Sequence, residues 1–144
     1  MTTRLGHISE LQPVKFDVSM YDNPIRPELF QGISEARPGK DTGLTQFGVN
    51  YVVLETGSAS ALRHWHEGED EFVLVLEGNP TLIDNHGEHP LVPGNFVGFP
   101  AGEANAHHFI NGAESPAVLL IMGSRRPGED TCHYPDDDLG PVKR

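Results

Sequence analysis

The chain of 144 residues has the length of a single domain, and its composition excludes several classes of protein. Its 21 acidic and 10 basic residues give a formal net charge of −11. This charge argues against nucleic acid and against an anionic membrane as partners, because both repel an acidic surface. A single Cys excludes an internal disulfide and any multi-Cys metal site.

The N-terminal third, residues 1–45, is rich in turn residues and is predicted to form an arm over the surface of the core. One short helix is predicted at residues 27–31, because Pro27 suits the first helical position and Gly32 lies just after the end. The first residues lack the apolar stretch of a signal peptide, which predicts a cytoplasmic protein. The longest apolar run, 117–122, is far below the roughly 20 residues that a bilayer requires.

From residue 46 the pattern changes to short strands that are separated by turn residues. Segments rich in β-branched and aromatic residues alternate with turns that contain many of the 16 Gly and 12 Pro. Short strands without amphipathic helices predict a sandwich or a closed barrel. The predicted strands, about eight in number, are 46–55, 61–66, 71–77, 80–83, 89–92, 96–99, 107–111 and 117–122.

The strand that contains residues 72–76 is apolar on both of its faces. A strand with one face in water is expected to alternate apolar and polar residues. We therefore expect the outer face of this strand to be covered, either by the N-terminal arm or by a second protomer. The second possibility predicts a homodimer.

The residues that point to chemistry are His64, His66 and Glu71, together with the later pair His107 and His108. Side chains alternate along a strand, so His64 and His66 point to the same face, about 7 Å apart. Glu71 begins the next strand, and if that strand pairs with the first, its carboxylate lies beside the two imidazoles.

Three imidazoles and one carboxylate form a mixed nitrogen and oxygen ligand set. Such a set suits a divalent transition metal (Fe, Mn, Co, Ni, Cu or Zn) better than Ca or Mg. It differs from a closed, Cys-rich structural zinc site. Four protein ligands on an octahedral ion would leave two positions for a substrate or for dioxygen.

The spacing of these residues resembles the first motif of the cupin superfamily, which is Gly, a spacer, HxH, a short gap, Glu, six residues and Gly. Here Gly57 precedes His64 by six intervening residues, where the pattern usually has five. His66 is followed after four residues by Glu71, and Glu71 after six residues by Gly78.

The second cupin motif also has a counterpart. Gly94 precedes the Pro-x-Gly element at Pro100 and Gly102, and His107 stands three residues before Asn111. The gap from Gly102 to the His is four residues instead of two, so a strict count falls on Asn105. His107 keeps the His-x-x-x-Asn spacing and is the predicted ligand, with His108 as the alternative.

The resemblance implies an all-β, cupin-type double-stranded β-helix, which is a jelly-roll barrel. It implies a barrel at 46–123, with the arm at 1–45 and a C-terminal tail at 124–144 that wraps the barrel. It also implies a metal held by His64, His66, Glu71 and His107. The tail looks like that of single-domain bacterial cupins, some of which carry the name sugar-phosphate isomerase.

Two classes of function follow from the resemblance. The first is a metal-dependent enzyme on a small polar substrate, either an isomerase or epimerase of a sugar-like molecule or an Fe-dependent dioxygenase. The second is a non-catalytic cupin that binds or senses a small molecule. If the substrate carries a phosphate, the candidate cations are Arg63, Arg125 and Arg126. Cys132 has no identified His or Asn partner and is not expected to be a nucleophile.

Overall fold

The structure, a computed structural model, describes residues 3–16 and 26–144. This part of the chain contains twelve strands but only one α-helix of four residues and two 3₁₀ helices. It contains no helix with the length and hydropathy that crossing a bilayer requires. The helices are 3₁₀ Ile8–Glu10, 3₁₀ Pro27–Phe30 and α1 Pro38–Asp41; the strands are β1 Val14–Lys15, β2 Ile33–Ala36, β3 Phe47–Leu54, β4 Trp65–His66, β5 Glu71–Glu77, β6 Thr81–Asp84, β7 Gly87–Pro90, β8 Phe96–Phe99, β9 His108–Ile110, β10 Ala117–Ser124, β11 Thr131–His133 and β12 Val142–Lys143.

The strands form one large antiparallel sheet and two small ones. The large sheet has the order β1-β2-β3-β10-β5-β8, and the small sheets have the orders β12-β11-β4 and β7-β6-β9. Neighbours in the large sheet are mostly distant in sequence, as in a jelly roll. The predicted all-β class and jelly-roll architecture are therefore confirmed.

The hydrophobic core lies between the large sheet and the small sheets. Val73 and Val75 alternate with outward residues along β5 and are buried, as is Leu119 on the neighbouring β10. Leu82 of β6 and Phe109 of β9 join the same apolar cluster from the small sheet. Burial of these side chains is the main term that holds the two layers together.

The predicted arm and tail both add strands to these sheets. β2 pairs with β3 at the edge of the barrel, and β1 pairs with β2. In the tail, β11 pairs with β4, so that Cys132 lies opposite His66. The boundaries at residues 45 and 123 stay predictions, since strand pairing crosses both of them.

The local predictions were confirmed in part. The helix predicted at 27–31 is the 3₁₀ helix Pro27–Phe30. The strand predicted at 61–66 is shorter: only Trp65–His66 is a regular strand, and His64 forms a single bridge with His107. Part of the predicted arm, residues 17–25, lies outside the described residues.

The Glu71 strand does not pair with the His64 and His66 strand, the arrangement that the sequence analysis stated as a condition. β5 pairs with β10 and β8, whereas β4 pairs with β11. Residues 67–70 carry the chain from one layer to the other, because a jelly roll connects strands across its two sheets. Glu71 consequently reaches the two imidazoles across the interior.

Among the described residues, the outer face of the large sheet is covered beside β3 and β10 and exposed at β5 and β8. Val49 and Leu120 lie beside the segment 3–11 and α1, where Gly39 packs against Val49. Phe72 and Phe96, stacked on each other at 5.6 Å between ring centroids, are 39% and 70% exposed.

Candidate metal centre

All four predicted metal ligands lie in the wall of one internal cavity of about 220 Å³ between the two layers. Glu71 enters it from the large sheet. The three imidazoles enter from the opposite side, where the backbones of His64 and His107 exchange hydrogen bonds of 3.2 and 3.0 Å. His66 follows on β4, two residues from His64 and on the same face, as predicted.

The four side chains converge on the carboxylate of Glu71. The Nε2 atom of His107 lies 3.0 Å from Oε1 of Glu71. The Nε2 atoms of His64 and His66 lie 3.7 and 3.8 Å from Oε2 of the same carboxylate. Nitrogen or oxygen atoms from His64, Glu71 and His107 all lie within 4.8 Å of one another, close enough to share one ion.

Each imidazole is fixed by a hydrogen bond on its far nitrogen. The Nδ1 atom of His64 lies 2.8 Å from the carbonyl oxygen of Leu62, and that of His107 lies 2.9 Å from the carbonyl oxygen of Asn105. A carbonyl oxygen only accepts, so both Nδ1 atoms carry the proton. In a neutral ring, the Nε2 atom then presents its lone pair to the cavity, as metal-bound histidines do.

His66 is fixed by a carboxylate instead of a carbonyl. Its Nδ1 atom lies 2.7 Å from Oδ2 of Asp130, whose other oxygen accepts a 2.9 Å hydrogen bond from the backbone N–H of Gly68. The side chain of Asp130 is fully buried. Burial alone would raise the pKa of Asp130, but the Gly68 N–H and His66 outweigh it and hold the pKa below its usual range.

Asp130 is the residue of the site that the sequence analysis missed. It stands 64 positions from His66 and belongs to no recognised motif. Only the pairing of β11 with β4 brings it there. A carboxylate in the tail just before a strand is too common a signal to identify such a residue in advance.

The electrostatics of the cavity favour an ionised carboxylate. Burial would raise the pKa of Glu71, but the imidazoles of His107 and His64 more than offset this and hold the pKa well below its usual range. For His64, burial would lower the pKa, but the proximity of the Glu71 carboxylate gives a net rise. A partly buried carboxylate that stays ionised is suited to bind a cation.

Aromatic packing sets the position of His107 and distinguishes it from His108. The ring of Phe99 stacks on that of His107 at 3.4 Å between centroids and 5° between planes. His107 is almost completely buried. The Nδ1 atom of His108 instead donates to the carbonyl oxygen of Ala61 at 2.8 Å. The structure thus brings His107, and not the alternative His108, against Glu71.

Cys132 is a further donor near the two histidines of the first motif. Its sulfur lies within 4.8 Å of donor atoms of His64 and His66, which the sequence analysis did not foresee. The thiolate is the form that binds metals, and burial raises the pKa of Cys132. The set that includes Glu71 therefore suits a cation better, since its carboxylate is already charged.

The residues present fit a divalent transition metal. Three imidazoles whose Nε2 atoms face one ionised carboxylate form a mixed nitrogen and oxygen set of the kind that such metals prefer. The hydrogen bonds on the far nitrogens supply the outer support that metal-bound histidines need.

Comparison with known proteins places the chain in a family. A family model described as the cupin domain matches residues 50–123. The chain belongs to the cupin superfamily. This cupin is also similar, at 39% identity, to a crystal structure from Silicibacter pomeroyi described as a sugar phosphate isomerase from a cupin superfamily. The match covers 96% of this chain and 90% of that chain, with a TM-score of 0.82.

Two further solved structures extend the comparison. A structure from Acidithiobacillus ferrooxidans, whose name also proposes a sugar phosphate isomerase, is 35% identical over 72% of this cupin and 65% of that chain, with a TM-score of 0.69. A polyketide cyclase from Streptomyces resistomycificus is 21% identical over 88% of this cupin and 82% of that chain, with a TM-score of 0.65, and shares only the fold. No curated protein matches the sequence.

Proposed function

We propose that this cupin holds a divalent transition metal through His64, His66, Glu71 and His107 and acts on a small polar molecule bound in the adjoining cavity. Isomerisation of a sugar-like substrate is the reaction we favour. The observation that carries the proposal is the convergence of three fixed Nε2 atoms on one carboxylate that is only 16% exposed. The similarity to the Silicibacter pomeroyi structure over nearly the whole chain supports the choice of reaction.

The residues of the chain have distinct tasks in this proposal. His64, His66 and His107 present lone pairs, and Glu71 supplies negative charge that offsets part of the charge of a cation. When bound, the metal would supply Lewis-acid polarisation of a substrate hydroxyl or carbonyl oxygen. Phe99 covers the ring of His107 and excludes water from that side of the site.

The metal part of the proposal is tested by metal analysis of protein purified without added metal. We expect near-stoichiometric transition metal in the wild type and its loss in the double variant His64→Ala/His66→Ala. His86→Ala is the matched control, because His86 lies exposed in the β6–β7 turn. Substoichiometric metal that the double variant leaves unchanged would refute the proposed centre.

The reaction is tested by proton NMR in D₂O with metal-loaded protein and a panel of aldoses and aldose phosphates. Isomerisation through proton abstraction should exchange the C2 proton for deuterium, and removal of the metal with EDTA should abolish the exchange. Oxygen consumption without exchange would favour an Fe-dependent dioxygenase. A panel member that stabilises the protein in a thermal-shift assay but is never converted would favour the non-catalytic binding module.

A further inference from the structure

An arginine whose side chain has no partner among residues 3–16 and 26–144 lies at the mouth of the metal cavity. Arg125 follows the last residue of β10, is exposed, and lines the same cavity as His64 and Glu71. Its backbone N–H bonds to the carbonyl oxygen of Gln46. Its guanidinium forms no hydrogen bond or ion pair with residues 3–16 or 26–144. Five N–H donors are therefore available at the cavity mouth.

A glycine makes the space that this guanidinium occupies. A Cβ atom on Gly48 would lie 2.6 Å from one terminal nitrogen of Arg125 and 2.8 Å from its Nε. Any other residue at this position would push the guanidinium aside. The guanidinium is thus folded back over strand β3, toward the interior.

The strand register relates Arg125 to the metal centre. Gly48 pairs with Gly123 of β10, and Gly123 pairs in turn with Glu71 of β5. Adjacent strands lie about 5 Å apart, so the backbones of Gly48 and Glu71 are about 10 Å apart. Gly48 and Gly123, the two residues that stand level with Glu71 in this register, lack side chains.

The other charges near the mouth already have partners. Glu35 bonds to Arg37 at 2.7 Å, and Asp70 accepts the backbone N–H of Ala101 at 2.8 Å. Glu69 accepts the backbone N–H of Arg126 at 2.9 Å.

The remaining candidate cations of the sequence analysis are also paired. Arg63 points outward to Asp136 at 2.7 Å, and Arg126 pairs with Glu129 at 3.4 Å. Arg125 thus differs from both in having its positive charge uncompensated by the described residues.

From this geometry we propose that Arg125 binds an anionic substituent, a phosphate or a carboxylate, on the molecule whose other end lies at the metal centre. The proposal rests on the proposed function and specifies its substrate class. A guanidinium matches the oxygens of either anion with two parallel N–H donors. The anion is held at the cavity mouth, where solvent reaches it, so its binding is expected to weaken as salt concentration rises.

The test uses probes that share one metal-chelating end and differ at the other. Calorimetry on Mn-loaded protein compares D-glycerate with D-3-phosphoglycerate and with D-malate, which have the same configuration at C2 and carry a distal phosphate and a distal carboxylate. We expect the wild type to bind at least one of the two anionic probes about tenfold more tightly than glycerate, as one charged hydrogen-bonded contact provides. The more strongly preferred probe identifies the anion.

The variant Arg125→Gln should abolish this preference and leave the affinity for glycerate unchanged. Gly48→Ala should reduce the preference while retaining the charge, because the added methyl group displaces the guanidinium. Arg126→Gln, which removes the neighbouring arginine, is the control and should retain the preference.

Three outcomes would overturn the inference. They are a wild type without preference for either anion, a preference that survives in Arg125→Gln, and a preference that is lost only in Arg144→Gln, the other arginine of the cavity wall. Failure of the wild type to bind Mn would instead count against the proposed metal centre, so the two failures are distinguishable.

Discussion

The two ends of the same three strands serve different purposes. Toward one end, β3, β5 and β10 place Leu54, Val75 and Leu119 inward, and all three are at most 2% exposed. Toward the other end, the inward positions of these strands are Gly48, Glu71 and Gly123. The apolar end supplies packing, whereas the polar end has two glycines and one carboxylate, and a cavity lies beside them.

The difference shows how a small barrel carries a stable core and a polar site on one scaffold. At the polar end, the inward positions of β3 and β10 carry no side chain, and the ladder of backbone hydrogen bonds continues unbroken. The carboxylate of Glu71 beside them needs partners, because an unpaired charge that is largely removed from water is costly. His64, His66 and His107 supply them from the opposite layer.

The largest effect on stability is expected at the apolar end. Leu119→Ala removes a side chain with no exposed surface and should lower the free energy of unfolding by about 2–5 kcal/mol, measured by urea denaturation. Because the two ends are separate, metal affinity of the remaining folded protein should be unchanged. Loss of metal binding in fully folded Leu119→Ala would show that the ends are coupled.

A smaller effect, confined to the polar end, is expected for Asp130→Asn. One orientation of the new amide would donate to Nδ1 of His66, move the ring proton to Nε2 and hide the lone pair that faces Glu71. Metal affinity measured by calorimetry should fall by about 10–100-fold. Asp136→Asn is the control, since Asp136 pairs with Arg63 outside the site. Equal losses of affinity in both variants would contradict a specific role for Asp130.

The smallest effect on stability is expected on the outer face of the sheet. Phe96→Ser alters a side chain that is 70% exposed and should change the free energy of unfolding by about 0.5 kcal/mol or less.

The homodimer predicted from this apolar face stays a prediction. If it forms there, light scattering at micromolar concentration should show a dimer for the wild type and a monomer for Phe96→Ser. Val92→Ser, at another exposed apolar position, is the control. A wild-type monomer would refute the prediction.

The sequence was most informative where a local pattern and a short spacing carry the information. The alternation of side chains placed His64 and His66 on one face, and their rings do lie close together, at 5.1 Å between centroids. The spacing to Asn111 selected His107, which the structure places against Glu71. Patterning predicted β3 to β10 with errors of up to four residues at their ends, and it missed β1, β2, β11 and β12 in the arm and the tail.

The sequence was least informative about which strands are neighbours. It left open whether Glu71 reaches the histidines by strand pairing, and the structure brings the carboxylate from the opposite layer. Both arrangements, strand pairing and approach from the opposite layer, place the carboxylate of Glu71 beside the same imidazoles. The spacing in the sequence therefore does not distinguish them. The role of Asp130 was invisible for the same reason, since its contact with His66 spans 64 positions.

By itself, the sequence determined the all-β class and the family and predicted four metal ligands, because these depend on residue type and on spacing within a few positions. The tertiary structure alone decided which nitrogen of each imidazole faces the cavity. The folded backbone turns the carbonyl oxygens of Leu62 and Asn105 toward the Nδ1 atoms of His64 and His107, two positions away, and the distant carboxylate of Asp130 fixes His66. It also separated three arginines that look alike in sequence. Arg63 and Arg126 are paired elsewhere, and only the register of Gly48 with Gly123 sets Arg125 beside the cavity.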